Sequence, residues 1–182
     1  MFSSIKKLFF SLIEKHKTSK MSGVQYAKYK GVEVGNDCRV YTRFFGSEPW
    51  LIKIGNKVTV SPKVQFITHD GSTWLFEDEK GRRQLYRRVE IGNEVFIGMD
   101  SIIMPGVRIS SNVIVAAGSV VVKSVPSGTI VGGNPAKIIG DYYNYKERVL
   151  ANYKSNSEID FNEDYQTRTE KALDKTFKDL MS

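Results

Sequence analysis

Two histidines, one cysteine and scattered carboxylates are the groups in this sequence able to do proton or nucleophile chemistry, and only one stands where a regular pattern breaks. His69 closes the run Phe66-Ile-Thr-His69, after which residues 70–90 depart from the surrounding periodicity. An imidazole has an unperturbed pKa of about 6.5, so near neutral pH it can take a proton from a group it faces. A lone histidine is also often a satisfied structural residue, and the residue type alone leaves both readings open. His16 lies within Met1–Lys20, where Ile5, Leu8, Phe9, Leu12 and Ile13 share one helical face, and it reads as a polar-face residue. Cys38 falls on a lattice of small residues and reads as a packed thiol. A single cysteine leaves no internal disulfide and suits a reducing compartment.

The elements that must position His69 are written in sixes. From Ile91 the chain reads IGNEVF, IGMDSI, IMPGVR, ISSNVI, VAAGSV and VVKSVP, so Ile91, Ile97, Ile103, Ile109, Val115 and Val121 recur without a slip. Four places after each stands a small or β-branched residue: Val95, Ser101, Val107, Val113, Ser119 and Val125. A period of six fits neither the 3.6 of a helix nor the alternation of a strand. It fits a repeat whose short units bury their apolar side chains only by stacking on neighbours. The expectation is a mainly β fold, a parallel β-helix in which each hexad forms one flat side and three sides close a triangular coil. The aliphatic residue points inward, and the small residue after it (Gly92, Gly98, Ser110, Ala116) turns the corner. A sandwich would instead need turn signals roughly every 8–12 residues.

The register begins at Val34 and Val40, is interrupted by GSEPWLIK, and resumes at Ile54, Val60 and Phe66 before the 70–90 excursion. Long excursions of this kind are functional or grip an oligomer. This one carries Trp74, Phe76 and Tyr86 among charges, which suits a sugar, a partner surface or simple anchoring of the loop. After Val125, Pro126–Lys137 ends the coil with glycine and proline turn chemistry. A helix is expected over Tyr142–Asn152 and, beyond a polar stretch at 154–164, a second holding Leu173, Phe177 and Leu180 on one face. The chain thus divides into an N-terminal helix and lead-in (1–30), the coil (31–140) and a helical extension (141–182).

A net charge of +7 suggests an anionic partner. No basic stripe interleaved with aromatics on a known module points to nucleic acid. No stretch is long enough to span a bilayer, and LFFSLI is too short for a signal peptide's apolar region. Residues 1–20 are expected to pack on the coil or a neighbouring subunit, with peripheral membrane contact as the alternative.

The hexads, the pair Gly118-Ser119 and above all Val131-Gly-Gly-Asn-Pro-Ala-Lys137 resemble the hexapeptide-repeat acyltransferases, in particular the maltose, galactoside and surface-polysaccharide O-acetyltransferases. The resemblance covers residues 34–139. It implies a left-handed coil, a hand that periodicity does not reveal and that runs against the usual rule for parallel crossovers. It further implies a homotrimer with acetyl-CoA in the groove between subunits; the reducing compartment that the lone cysteine suits is read as the cytoplasm, and one histidine in the coil leads to the expectation of no metal.

In the resembling enzymes the catalytic histidine stands where His69 stands here. That implies His69 as general base for a sugar or polysaccharide hydroxyl, with Asp70 or a backbone carbonyl holding its tautomer. Some members carry a hydroxyl residue where Met99 stands, which leaves a backbone N–H near Gly98 or Met99, or a water, as oxyanion donor. Ala116, Ala117 and Gly118 would admit the pantetheine arm, Val122 and Lys123 would meet the nucleotide end, and Lys137 its phosphates. Asp70 and Trp74 are candidates for the acceptor. An antibiotic or amino-sugar acceptor, or a non-catalytic β-helical scaffold, are the alternatives. A carbonic anhydrase on this coil would need three histidines around zinc.

Overall fold

The computed structural model describes Glu14, residues 16–178 and Leu180, so the expected amphipathic face of residues 1–13 lies outside the described residues. Two compact units form, Met1–Tyr142 and Tyr143–Ser182.

Beyond helical residues 16–19, the first unit forms α1 (Gly23–Lys30), fixed by a capping box in which Ser22 and Gln25 each accept from the other's backbone N–H, and closed by Gly31 in the left-handed conformation. Short strands then wind through three parallel sheets. The first holds β1 (Glu33–Val34), β3 (Ile52–Ile54), β8 (Val89–Ile91) and β11 (Arg108–Ile109). The second holds β2 (Arg39–Val40), β4 (Thr59–Val60), β9 (Val95–Ile97), β12 (Val113–Val115) and β14 (Thr129–Gly132). The third holds β5 (Gln65–Phe66), β10 (Ile102–Ile103) and β13 (Val120–Val121).

Register follows the hexads. Ile54 pairs with Ile91 and Ile91 with Ile109 on the first face; Val60, Ile97, Val115 and Val131 align on the second; Phe66, Ile103 and Val121 align on the third. All six repeating aliphatics from Ile91 to Val121 are buried, as is every residue of the second lattice, including Ser101 and Ser119. Burying one Ile or Val side chain contributes about 1.5–3 kcal/mol, gained here only when a neighbouring coil covers it. The two buried serine hydroxyls both donate to the Ala116 carbonyl, at 3.1 and 2.6 Å. The half-buried Cys38 thiol donates to the Gly55 carbonyl at 3.1 Å. In the second sheet one strand runs against the rest, β15 (Lys137–Asp141), antiparallel to β14, and within the excursion β6 (Glu77–Asp78) pairs antiparallel with β7 (Gly81–Arg82).

The corners differ from the sequence expectation in one respect. The small residue after each aliphatic is required by crowding: a Cβ on Gly98 would lie 2.5 Å from the Ala117 nitrogen, and one on Gly55 2.6 Å from the Gly92 oxygen. The conformational turn comes two residues later, where Asp37, Lys57, Lys63, Glu94, Asp100 and Asn112 have φ of 54–60° and are joined by Gly106 and Gly118. Between these positions runs a ladder: the backbone N–H of Asn36 donates to Asn56 Oδ1, that of Asn56 to Asn93 Oδ1 and that of Asn93 to Ser111 Oγ, at 2.8, 2.8 and 3.0 Å. These side chains satisfy corner amides that no strand pairs.

The second unit contains most of α2 (Tyr142–Asn152), which begins at the unit boundary, and α3 (Tyr165–Ala172), capped by Asp164 on the backbone N–H groups of Gln166 and Thr167. The expected second helix through Phe177 and Leu180 is corrected: α3 ends at Ala172, and Leu173 after it is extended, with ψ of 125°. The Asp174 carboxylate then accepts from the backbone N–H and hydroxyl of Thr176, a local turn that competes with helical bonding.

Crowding at the corners yields a test. Gly98→Ala should lower the stability of the coil by about 1–3 kcal/mol. Gly71→Ala, where nothing lies within 4 Å of the added methyl, should be close to neutral. Denaturant midpoints of the two variants against the parent would check it.

Candidate active site

The third face ends at His69, three residues after Phe66. Phe44 bridges in parallel to Gln65, and the rings of Phe45 and Phe66 stack with centroids 5.8 Å apart, fixing the coil of residues 59–69 over the segment before it. Phe44 and Gln65 differ by the same 21 positions that separate Glu48 from His69, so register alone carries a carboxylate under the imidazole.

Glu48 Oε2 lies 2.9 Å from His69 Nδ1 and also accepts the buried Thr68 hydroxyl at 2.7 Å. The Glu48 side chain is 15% exposed and that of His69 39%. The Thr68 hydrogen bond, with a smaller contribution from His69, outweighs the opposing effect of burial and holds the Glu48 carboxyl below its ordinary value. An ionised carboxylate only accepts, so the hydrogen-bond network assigns the proton to Nδ1 and leaves the lone pair on Nε2. This is the tautomer a general base requires.

The excursion leaves and returns at this point. The Arg87 N–H donates to the Thr68 carbonyl at 2.7 Å, Asp70 N–H donates to the Leu85 carbonyl at 3.1 Å, and the Tyr86 ring lies 6.2 Å from the imidazole. Asp70 does not orient His69, a correction to the sequence expectation. Its carboxylate caps the 3-10 turn Gly71–Leu75, accepting from the backbone N–H and hydroxyl of Ser72 at 2.9 and 2.6 Å, and those bonds hold its pKa below the ordinary value. Glu48 takes the orienting place because it sits in the adjacent coil, whereas the residue next to His69 is drawn into the loop. Trp74 is 68% exposed in the excursion and does not line the cleft that His69 borders.

That cleft is open, about 460 Å³ in volume, and lined by Tyr26, Lys30, Arg43, Phe44 and Gln65 among others. The other anticipated residues fall into two groups. Val122 and Lys123 follow β13 at the exit edge of the third face, the edge on which His69 stands, and both are exposed. Met99 and Ala117 stand at the entry edge, where the Gly118 N–H donates to the Met99 carbonyl and the Asp100 N–H to that of Pro62. Lys137 lies nearby, because the Ala136 N–H donates to the Val120 carbonyl. Strand rise puts the two edges of one face about 15–20 Å apart, so one chain does not bring Met99 and Ala117 to His69. The Gly98 N–H is committed to the Val115 carbonyl at 2.8 Å, which removes it as an oxyanion donor.

Glu48 and Thr68 are the residues that sequence reasoning missed. The 21-residue offset linking Phe45 to Phe66 is the signal that finds Glu48, and the GSEPWLIK interruption hides it. Among the described residues no cluster of three or more His, Cys, Asp or Glu could hold a metal ion.

Residues 88–123 match the family described as Bacterial transferase hexapeptide (six repeats). Protein CapG of Staphylococcus aureus is 45% identical over 162 residues, covering 87% of this chain and 91% of that protein. The chain belongs to the hexapeptide-repeat transferases. The galactoside O-acetyltransferase of Escherichia coli (strain K12) is 29% identical over 113 residues, 62% of this chain and 55% of that enzyme. Among solved structures, the hexapeptide-repeat acetyltransferase VCA0836 of Vibrio cholerae O1 biovar eltor, complexed with acetyl coenzyme A, superposes with a TM-score of 0.52 and 30% identity, over 62% of this chain and 61% of that one. The chain thus spans less than two thirds of the length of these last two. It is an acyltransferase of the hexapeptide-repeat family.

The Glu48 assignment predicts a pH dependence. A carboxyl whose folded value is depressed stabilises the fold fully above its unfolded value, near 4.5, and that contribution is lost as pH falls through the lower folded value. Thermal unfolding between pH 3 and 7, about the range over which such carboxylates titrate, should show the parent losing stability below about pH 4.5 more steeply than Glu48→Gln.

Proposed function

We propose that this transferase moves the acetyl group of acetyl-CoA to a hydroxyl of a sugar or polysaccharide unit, with His69 as general base. The observation that carries the reading is the Glu48–His69 pair, which leaves Nε2 unprotonated at the mouth of an open cleft. An alcohol is a poor nucleophile until its proton is removed as it attacks. In the proposed step Nε2 takes the hydroxyl proton while the oxygen bonds to the thioester carbonyl carbon. The tetrahedral intermediate then expels CoA as thiolate, and the imidazolium returns the proton to that sulfur. Ionised Glu48 stabilises the imidazolium between these events, as the acidic member of a serine-protease triad does. The Met99 backbone N–H remains the candidate donor to the oxyanion, since the methionine side chain cannot donate.

The acetyl-CoA complex of the Vibrio cholerae relative supports the donor, and the galactoside O-acetyltransferase likeness supports a sugar acceptor. The likeness to hexapeptide transferases also supports a left-handed winding for the coil. We further propose a homotrimer. Met99, Ala117 and Lys137 lie along the edge opposite that of His69, Val122 and Lys123, and an adjacent copy would set the two edges face to face. The column of small residues ending at Gly118, where nothing lies within 4 Å of an added Cβ, leaves room for the pantetheine arm. Lys123 and Lys137, both exposed, are suited to its phosphates as mobile point charges. Use of acetyl-CoA and a lone thiol fit a cytoplasmic setting. Among the described residues no helix is long and apolar enough to cross a membrane.

CoA release from acetyl-CoA in the presence of a sugar panel tests the mechanism. His69→Ala should lower kcat by about 10²–10⁴-fold, and Glu48→Gln by at least about tenfold, with smaller changes in the KM for acetyl-CoA. Full turnover by His69→Ala would remove the mechanism. Sedimentation velocity should give a trimer, and a monomer would leave the two edges apart.

A further inference from the structure

The cleft beside His69 is lined by two cations and by aromatic rings. Lys30 stands in the last turn of α1 and Arg43 follows β2, and both line the cleft together with Tyr26, Phe44 and Gln65. Among the described residues neither Lys30 nor Arg43 has a carboxylate within ion-pair distance. Arg43 is held in place by neutral partners: its guanidinium donates to the carbonyls of Thr18 and Met21, at 3.0 Å each, and lies 4.5 Å from the Tyr26 ring centroid. The group is therefore pre-positioned with its charge uncompensated. The acid nearest the site, Glu48, is already shared between Thr68 and His69. Phe44, 57% exposed, offers an aromatic face beside these cations.

A pocket with two cations and, among the described residues, no counter-charge favours an anionic occupant, through charge-assisted hydrogen bonds and through the local field. Lys30 and Arg43 belong to the N-terminal side of His69. The small-residue column and Lys123 and Lys137, assigned above to CoA, lie in coils on its C-terminal side. The two ends of the site are thus divided between the two reactants. We propose that the acceptor is an acidic sugar, whose carboxylate or phosphate is held by Lys30 and Arg43 while its ring packs on Phe44 and presents a hydroxyl to His69 Nε2. This rests on the O-acetyltransferase reading given above and adds the chemical class of the acceptor to it.

The test compares three acceptors at low ionic strength: methyl glucuronide, glucose 6-phosphate and neutral methyl glucoside. The expected result is that one or both anionic sugars exceed the glucoside in kcat/KM by about tenfold or more, and that Lys30→Gln removes most of this preference while Lys30→Arg restores it. The first two acceptors separate carboxylate from phosphate recognition. Lys30→Glu, which should reverse the preference, is the second variant. Circular dichroism and sedimentation on each variant show that the fold is kept. Equal kcat/KM for all three acceptors would overturn this inference alone. A raised KM for acetyl-CoA in Lys30→Gln, with the acceptor preference intact, would assign the cation to the cofactor's phosphates and overturn it as well. Absence of CoA release above the His69→Ala background with every acceptor would overturn it together with the acetyltransferase reading.

Discussion

Coil-to-coil contact at the corners of the prism is the constraint on which the rest depends. At the second hexad position the backbone of the next coil approaches so closely that a Cβ on Gly35, Gly55, Gly92 or Gly98 would fall within 2.8 Å of it. Contact that tight admits one register. A one-residue slip would drive side chains into neighbouring backbone and move every inward aliphatic to the outside. The asparagine ladder pins the same register with directional bonds, so packing and hydrogen bonding enforce a single alignment.

Fixed register is what converts sequence positions far apart into chemistry. Glu48 and His69 meet because their coils are locked together by the Phe44–Gln65 bridge and the stacked Phe45 and Phe66 rings. Thr68, fully buried, gives its hydroxyl to the same carboxylate oxygen and keeps it ionised and still. A partly buried carboxylate without such donors would tend to take up a proton and cease to specify the imidazole tautomer. The pair is therefore a product of the scaffold, with rigid neighbours on each side.

What was legible in the sequence was the local, repeated part. The aliphatic lattice from Ile91 to Val121 and the lattice four residues behind it are buried without exception, because each obeys a rule restated every six residues. The α2 helix from Tyr142 to Asn152 was likewise visible in its periodicity. Glu48 was not, because the interruption that carries it contains a 3-10 turn, Pro49–Leu51, and breaks the hexad count across which its partner must be found. Asp70 was the natural candidate by adjacency, but a carboxylate next to the start of a turn is captured by that turn's amides. The tail beyond Leu173 shows the same competition, with Asp174 favouring a local turn over continuation of an apolar helical face.

His69 occupies the fourth hexad position, counted from Phe66, where Asp37, Lys57, Lys63, Glu94, Asp100 and Asn112 turn through a left-handed conformation and the next coil has Gly106. His69 is not left-handed. Its backbone bridges in antiparallel fashion to Tyr86, so here the chain departs instead of turning. A residue that turns a corner has its side chain placed by the demands of the bend. One that leaves it is free to be placed by a partner, and here Glu48 is that partner. The excursion of residues 70–88 therefore has a structural consequence apart from anything its aromatic tip contacts. By opening the prism at this corner, it lets a rigid repeat present an oriented imidazole beside the cationic cleft on its N-terminal side.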